Sequence, residues 1–388
     1  MATTIASRGS RAETAVRDTV LRLIDEGRET GVQVSAYLDG EQVVDVSEGI
    51  ADPASGRPVT PDTIFHVYSV TKAVVVTALH MQIERGHIGY DDLVVAYWPE
   101  YGQHGKEATT VRHVITHRAG VPQMPVGVTP EQMCDWDWMI AQIAALTPIA
   151  PPGSRALYQS MTHGWLIGEL VRRTDPQHRD IGRFVREEIA EPLGITDLWV
   201  GLPEEAAPRV AKLSLAYEPI TNGPELYSAS MPPQVDLIPA VFERPEVMRA
   251  PIAGVGGIFN ARSSARFWAM LAQGGALDGV RLLSAERVAT FNQPRSNADE
   301  PDIVMYGQPL PLSEAGYWLG QENPPCAAAR YRRVICHPGA GNTQGFADMQ
   351  KRFAFAFCHN RMQMPQSRDE DSSAIVAEAI RSALDIEG

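Results

Sequence analysis

The chain has 388 residues, 44% of them hydrophobic and 21% charged, and a net charge of −13. That length supports a large core, and an acidic balance without a basic stripe argues against a nucleic-acid-binding surface. No apolar run is long enough to span a bilayer and Met1 to Arg11 lacks the apolar segment of a secretory signal, so the expectation is a cytoplasmic protein binding neither nucleic acid nor membrane.

Residues 13–26 carry Val16, Val20, Leu21 and Ile24 at helical spacing. A hairpin follows: Val32, Val34, Ala36 and Leu38 alternate, Asp39-Gly40 turns the chain, and Val43, Val44 and Val46 return. Pro58 to Asp62 reads as a loop. Val70 to Glu84 reads as a helix, apolar all round and therefore buried, with Gly86 as its stop. Helical segments broken by Pro- and Gly-containing loops come next, at Val111–Thr116, Trp136–Leu146, Thr162–Arg173 and Ile181–Ile189. Residues 203–251 are Pro-rich without a period and read as long surface loops. Order returns at Gly254–Phe259, with helices expected at Ser264–Gln273 and Ala285–Phe291. Short strands are expected at Tyr317–Leu319, Tyr331–Cys336, Gly345–Met349 and Phe353–Cys358. The last helix places Ile375, Val376, Ala379, Ile380, Ala383 and Leu384 on one face.

Strands thus lie toward both ends and helices in the middle. The economical architecture is α+β. Residues 1–88 and 252–388 form a sheet-containing α/β domain, and 89–251 form an inserted, mainly helical domain with long loops. A cleft between such parts is a usual place for a site.

Four cysteines (Cys134, Cys326, Cys336, Cys358) show no C-x-x-C spacing, so reduced thiols are expected rather than a disulfide framework. The ten histidines show no ligand spacing, so neither a metal nor another cofactor is expected. Ser69-Val70-Thr71-Lys72 opens the buried helix. Residues three apart share a helix face, so the hydroxyl and amine can meet, beside free N–H groups and the positive end of the dipole. A lysine serves as base once its pKa falls toward neutrality. On the residues alone, the pair reads equally as an N-cap and a lysine paired with an acid. Tyr158-Gln159-Ser160 follows the Pro151-Pro152-Gly153 loop; its phenol could shuttle a proton, or could simply pack. His337-Pro338-Gly339-Ala340-Gly341 ends a strand in small residues, which suits either a tight turn or a backbone N–H aimed at an oxyanion. Gly339-Ala340-Gly341 lacks the third glycine and helix of a dinucleotide loop.

Taken in order, these elements resemble the serine β-lactamase-like family over nearly the whole chain. That family takes in class C β-lactamases, penicillin-binding peptidases, family VIII carboxylesterases and some acyltransferases. Thr63 through Lys72 is similar to the nucleophile region. Tyr97-Trp98-Pro99-Glu100-Tyr101 and Thr116-His117-Arg118-Ala119-Gly120-Val121-Pro122 are similar to the segment that follows it in the esterase branch. Pro192-Leu193-Gly194-Ile195, Gly254-Val255-Gly256-Gly257-Ile258 and Gly316-Tyr317-Trp318-Leu319-Gly320 add to the likeness. The resemblance implies a β-lactamase/transpeptidase-like fold, an antiparallel sheet flanked by helices. It implies Ser69 as acylated nucleophile, Lys72 as general base and Tyr158 as partner base and acid. It also implies an oxyanion hole from the N–H groups of Ser69 and Ala340, and substrate contacts from Ser160, His337 and Gly339.

Two departures narrow the expectation. Ser160 stands where lactamases and peptidases commonly have asparagine, and His337-Pro338-Gly339 stands where they have Lys-Thr-Gly. A neutral histidine supplies less fixed charge to a substrate carboxylate. The expected activity is therefore a carboxylesterase on small-molecule esters, ahead of an acyltransferase, a lactamase, amidase or peptidase, and a catalytically inert binding homologue.

Overall fold

A computed structural model of the chain describes residues 2–219 and 223–386. Met1, residues 220–222 of the expected loop stretch and residues 387–388 lie outside the described residues.

The chain begins with α1 (Ala2–Asp25), which buries Ala12, Val16, Val20 and Leu23 along one stripe. It starts before the apolar repeat does. β1 (Gly31–Leu38) and β2 (Glu41–Asp52) form the expected hairpin, with Asp39 and Gly40 at φ 54° and 87°, the left-handed pair such a turn needs. β3 (Arg57–Pro58) and β4 (Phe65–Tyr68) lead into α2 (Val70–Glu84), which is buried from Val70 to Ile83. The later elements are α3 (Thr162–Thr174), β5 (Leu198–Val200), β6 (Gly257–Phe259), α4 (Ala261–Ala272), β7 (Trp318–Leu319), β8 (Ile335–Pro338), β9 (Gln344–Asp348), β10 (Phe353–His359) and α5 (Ser372–Leu384).

Seven strands form one sheet in the order β7-β8-β9-β10-β1-β2-β3, every neighbour antiparallel. The two ends of the chain meet at its centre, where Val34 of β1 lies opposite Phe357 of β10. Alternation then decides what covers each face. Phe353, Phe355 and Phe357 join the core under α1 and α5, while Ala354, Ala356 and Cys358 face α4. The small residues on that second face let α4 sit close to the sheet.

Three expectations shift. The strand expected at Tyr331–Cys336 is displaced to Ile335–Pro338, because Tyr331–Val334 forms a turn, closed by Val334 N–H to the Tyr331 carbonyl at 2.8 Å. The Pro-rich stretch 203–251 holds short helices at Glu225–Ser230, Pro239–Phe242 and Pro245–Arg249. In the last two, proline occupies the first turn, where its missing N–H is harmless. In α5 the fully buried face is Val376, Ala377, Ile380, Ala383 and Leu384, with Ile375 and Ala379 only half-buried. A second, three-stranded sheet of β4, β6 and β5 was not expected at all, and it is the one that delivers the nucleophile candidate.

Candidate active site

Ser69 sits at the junction of β4 and α2. The preceding Tyr68 has φ 45°, in the left-handed region that bulky residues avoid at a cost of order 1–3 kcal/mol. Packing holds it there: its phenol donates to Met362 Sδ at 3.3 Å, and its ring meets Phe242 at 5.5 Å. The Thr71 hydroxyl closes the turn by donating to the Tyr68 carbonyl while accepting the Gly257 N–H at 2.9 Å. Ser69 is the N-cap of α2 in position only, since its side chain makes no capping hydrogen bond. Its Oγ is therefore left for other partners.

Lys72 lies one turn further on and is fully buried. Its Nζ reaches Ser69 Oγ at 3.1 Å, the Ser160 carbonyl at 2.7 Å and the Gly254 carbonyl at 2.8 Å. No acid is among the groups that perturb it, so the pairing with a carboxylate that the sequence left open is excluded among the described residues. Burial alone pulls its pKa down to about 7. A neutral amine has two N–H bonds and one lone pair. The two carbonyls take the N–H bonds, which leaves the lone pair facing the Ser69 hydroxyl.

That arrangement depends on α3 touching the Gly254 loop backbone to backbone. A Cβ added at Gly164 would stand 1.9 Å from the Gly254 nitrogen. Gly164→Ala is therefore expected to destabilise the fold by about 3 kcal/mol or more, and a thermal melt that matches the parent protein would refute this.

Tyr158 completes the group. It lines the same cavity as Ser69, and burial raises its pKa above the ordinary tyrosine value, outweighing the Ser69 side chain, which is near enough to lower it. Its ring centroid lies 5.4 Å from Lys72 Nζ. The backbone around it is held at three successive positions. Leu157 N–H donates to the His117 carbonyl at 2.9 Å, Tyr158 N–H to Asp302 Oδ2 at 2.7 Å, and Gln159 N–H to His117 Nδ1 at 3.0 Å. Because Nδ1 accepts, His117 is neutral with its proton on Nε2, and its burial pushes the pKa well below the usual histidine value. Burial raises the Asp302 carboxyl to about 6.

β8 brings the third element in. A Cβ at Gly339 would lie 2.3 Å from the Val67 carbonyl, so only glycine lets this strand end close on β4, two residues before Ser69. Ser69 and Ala340 line the same cavity, and neither N–H is taken by a backbone carbonyl among the described residues. Ser160 and Gly339 also line it, the Ser160 hydroxyl 3.4 Å from Ser230 Oγ. His337 does not. Its ring is fully buried, with Nδ1 2.8 Å from the Pro338 carbonyl and Trp318 at 5.7 Å, and Pro338 faces the cavity in its place. The substrate contact expected of His337 is therefore not available in this structure.

The cavity measures about 340 Å³, within the range of small-molecule sites. Its walls include Trp318, named in the sequence only as part of a strand, and Tyr217, Tyr227, Met231, Asp236 and Met364, which the sequence did not single out. Trp318 comes from β7, and Tyr217, Tyr227, Met231 and Asp236 come from the Pro-rich stretch without a period, where only the excess of aromatic and sulfur side chains could have pointed to a lining. Among the described residues, no lysine, arginine or histidine lines the cavity.

Ser69, Lys72 and Tyr158 thus converge, with two free N–H groups at the same cavity. Such a set can activate a hydroxyl for acyl transfer and stabilise an oxyanion. Comparison with known proteins agrees with the fold. The chain is 32% identical over 347 residues to the esterase/beta-lactamase LipL of Mycobacterium tuberculosis, covering 86% of this chain and 78% of that one. It superposes on a penicillin-binding protein homologue from Caulobacter crescentus with a TM-score of 0.84 and 31% identity, over 96% of this chain and 97% of the other. It superposes equally on a family VIII carboxylesterase, with a TM-score of 0.84 and 27% identity over 96% and 97% of the two chains. With a beta-lactamase family model matching residues 16–380, the chain belongs to the beta-lactamase family.

Proposed function

We propose that this protein is a carboxylesterase working through an acyl-enzyme on Ser69. One observation carries the reading: a buried lysine with no acid partner, whose amine is held by two carbonyls and turned toward a serine hydroxyl. In the proposed reaction Ser69 Oγ attacks the ester carbonyl and its proton passes to Lys72. The N–H groups of Ser69 and Ala340 hold the oxyanion. Tyr158 returns the proton to the departing alcohol, and water then releases the acid by the reverse path.

The choice of ester rests on the cavity. A penicillin-like substrate brings a carboxylate, and no cationic side chain among the described residues lines the wall to meet it. The likeness to a family VIII carboxylesterase supports the same choice, whereas the name of LipL carries both esterase and beta-lactamase.

Labelling with a fluorophosphonate tests the reading. The expected result is one adduct, on the peptide that carries Ser69, with p-nitrophenyl butyrate hydrolysis lost in step with labelling. An unmodified Ser69, or hydrolysis that survives full labelling, would overturn it. An acylated product on adding alcohols or amines would mark the protein as an acyltransferase using the same intermediate.

A further inference from the structure

Among the described residues, the cavity that holds Ser69 has one carboxyl side chain in its wall, and nothing in the proposed chemistry uses it. Asp236 Oδ1 accepts the N–H of the next residue, Leu237, at 2.7 Å. No cation among the described residues acts on it, and burial raises its pKa above the usual aspartate value. Tyr217 and Tyr227 line the same cavity, and both lie close enough to feel the Asp236 charge. Tyr227 is further backed by Tyr306, their ring centroids 5.1 Å apart.

An unpaired, half-buried carboxylate beside aromatic faces is chemically a receptor for a cation. Carboxylate and ring quadrupoles both attract an ammonium group, and the apolar remainder of the wall accepts its methyl groups. A chain with a net charge of −13 adds to the attraction. A purely local role, closing the turn at Leu237, needs neither the cavity nor the tyrosines.

We propose that Asp236, Tyr217 and Tyr227 form a subsite for a quaternary ammonium group carried by the ester substrate. This rests on the esterase reading of the same cavity and goes further by giving the substrate a charge. The cation would sit at the far end of the acyl or alcohol chain while the ester carbonyl meets Ser69.

Two matched substrate pairs and one binding measurement test it. The first pair is choline butyrate and its carbon isostere, in which tert-butyl replaces trimethylammonium. The second is a p-nitrophenyl ester whose acyl chain ends in trimethylammonium, against the same chain ending in tert-butyl. The ratio of kcat/KM for the charged over the neutral ester is expected to fall about tenfold in Asp236→Asn for at least one pair. In calorimetric titration, butyltrimethylammonium is expected to bind the parent protein about tenfold more tightly than the variant. The asparagine keeps the acceptor for the Leu237 N–H, and Tyr227→Leu, which removes an aromatic wall, is expected to weaken the same binding. Ester turnover with ratios and affinities independent of Asp236 overturns the subsite and leaves the esterase standing. Asp236-dependent binding with no ester hydrolysed overturns the esterase and leaves the subsite. Neither binding nor turnover overturns both.

Discussion

Ester hydrolysis by the Lys72→Met protein is expected to fall by about two to four orders of magnitude, the usual range for losing a positioned general base. The argument lies in the amine's three contacts. Methionine fills the same buried, apolar channel with a side chain of similar length and flexibility, so Ser69 stays where Tyr68 and Thr71 put it. What disappears is the amine lone pair facing the hydroxyl. The Ser160 and Gly254 carbonyls also lose their donor. Each buried orphan carbonyl costs about 1–3 kcal/mol, offset by no longer having to bury an amine, so the melting temperature should drop only modestly. The pH profile is the sharper check. Lys72 is protonated below its pKa of about 7 and has no lone pair to offer, so kcat/KM of the parent protein should climb as pH rises through about 7. Stability should move the same way. The unfolded lysine holds its proton up to about 10.4 while the folded one releases it near 7, so the folded state gains on the unfolded one as pH rises across that window. A variant with more than a tenth of the parent activity, or a parent profile flat across pH 6–8, would remove Lys72 from its assigned role.

Much of this was legible in the sequence because it lies in local pattern. The hairpin at Asp39-Gly40 and the wholly apolar α2 announce themselves through turn chemistry and periodicity. The i, i+3 spacing of Ser69 and Lys72 is likewise local. What converts that spacing into chemistry is not. The carbonyls that hold Lys72 come from Ser160 and Gly254, 88 and 182 residues away, and a backbone carbonyl has no residue-type signature. The strained turn at Tyr68 was equally hidden, because β4 is four residues long and gains its strand character from pairing with β6. His337 misled for a related reason. Its place in the motif suggested a cavity contact, but the ring folds back on its own strand end between Trp318 and the Pro338 carbonyl. The cavity wall at Tyr217, Tyr227 and Asp236 comes from the Pro-rich stretch, where no period exists to read.

Tyr158→Phe is expected to lower kcat by about a hundredfold to a thousandfold, while KM moves only a few-fold. Removing the hydroxyl leaves the ring's surroundings intact: Trp318 stands edge-on at 5.7 Å and His117 lies at 4.7 Å. The backbone does not follow the hydroxyl, because Asp302 and His117 hold the N–H groups of Leu157, Tyr158 and Gln159 without involving the phenol. The loss is therefore chemical rather than positional, and the leaving group should reveal which step it affects. A phenol with a raised pKa keeps its proton at neutral pH, which suits it to pass a proton onward rather than to act as an anion. An alkyl alcohol leaves as an alkoxide unless it is protonated, whereas p-nitrophenol leaves readily as its anion. The penalty should then be at least about tenfold larger for ethyl butyrate than for p-nitrophenyl butyrate. Equal losses on both esters would assign the phenol to activating Ser69 rather than to protonating the alcohol. No loss on either would leave Tyr158 as a wall of the cavity and place the whole proton path on Lys72.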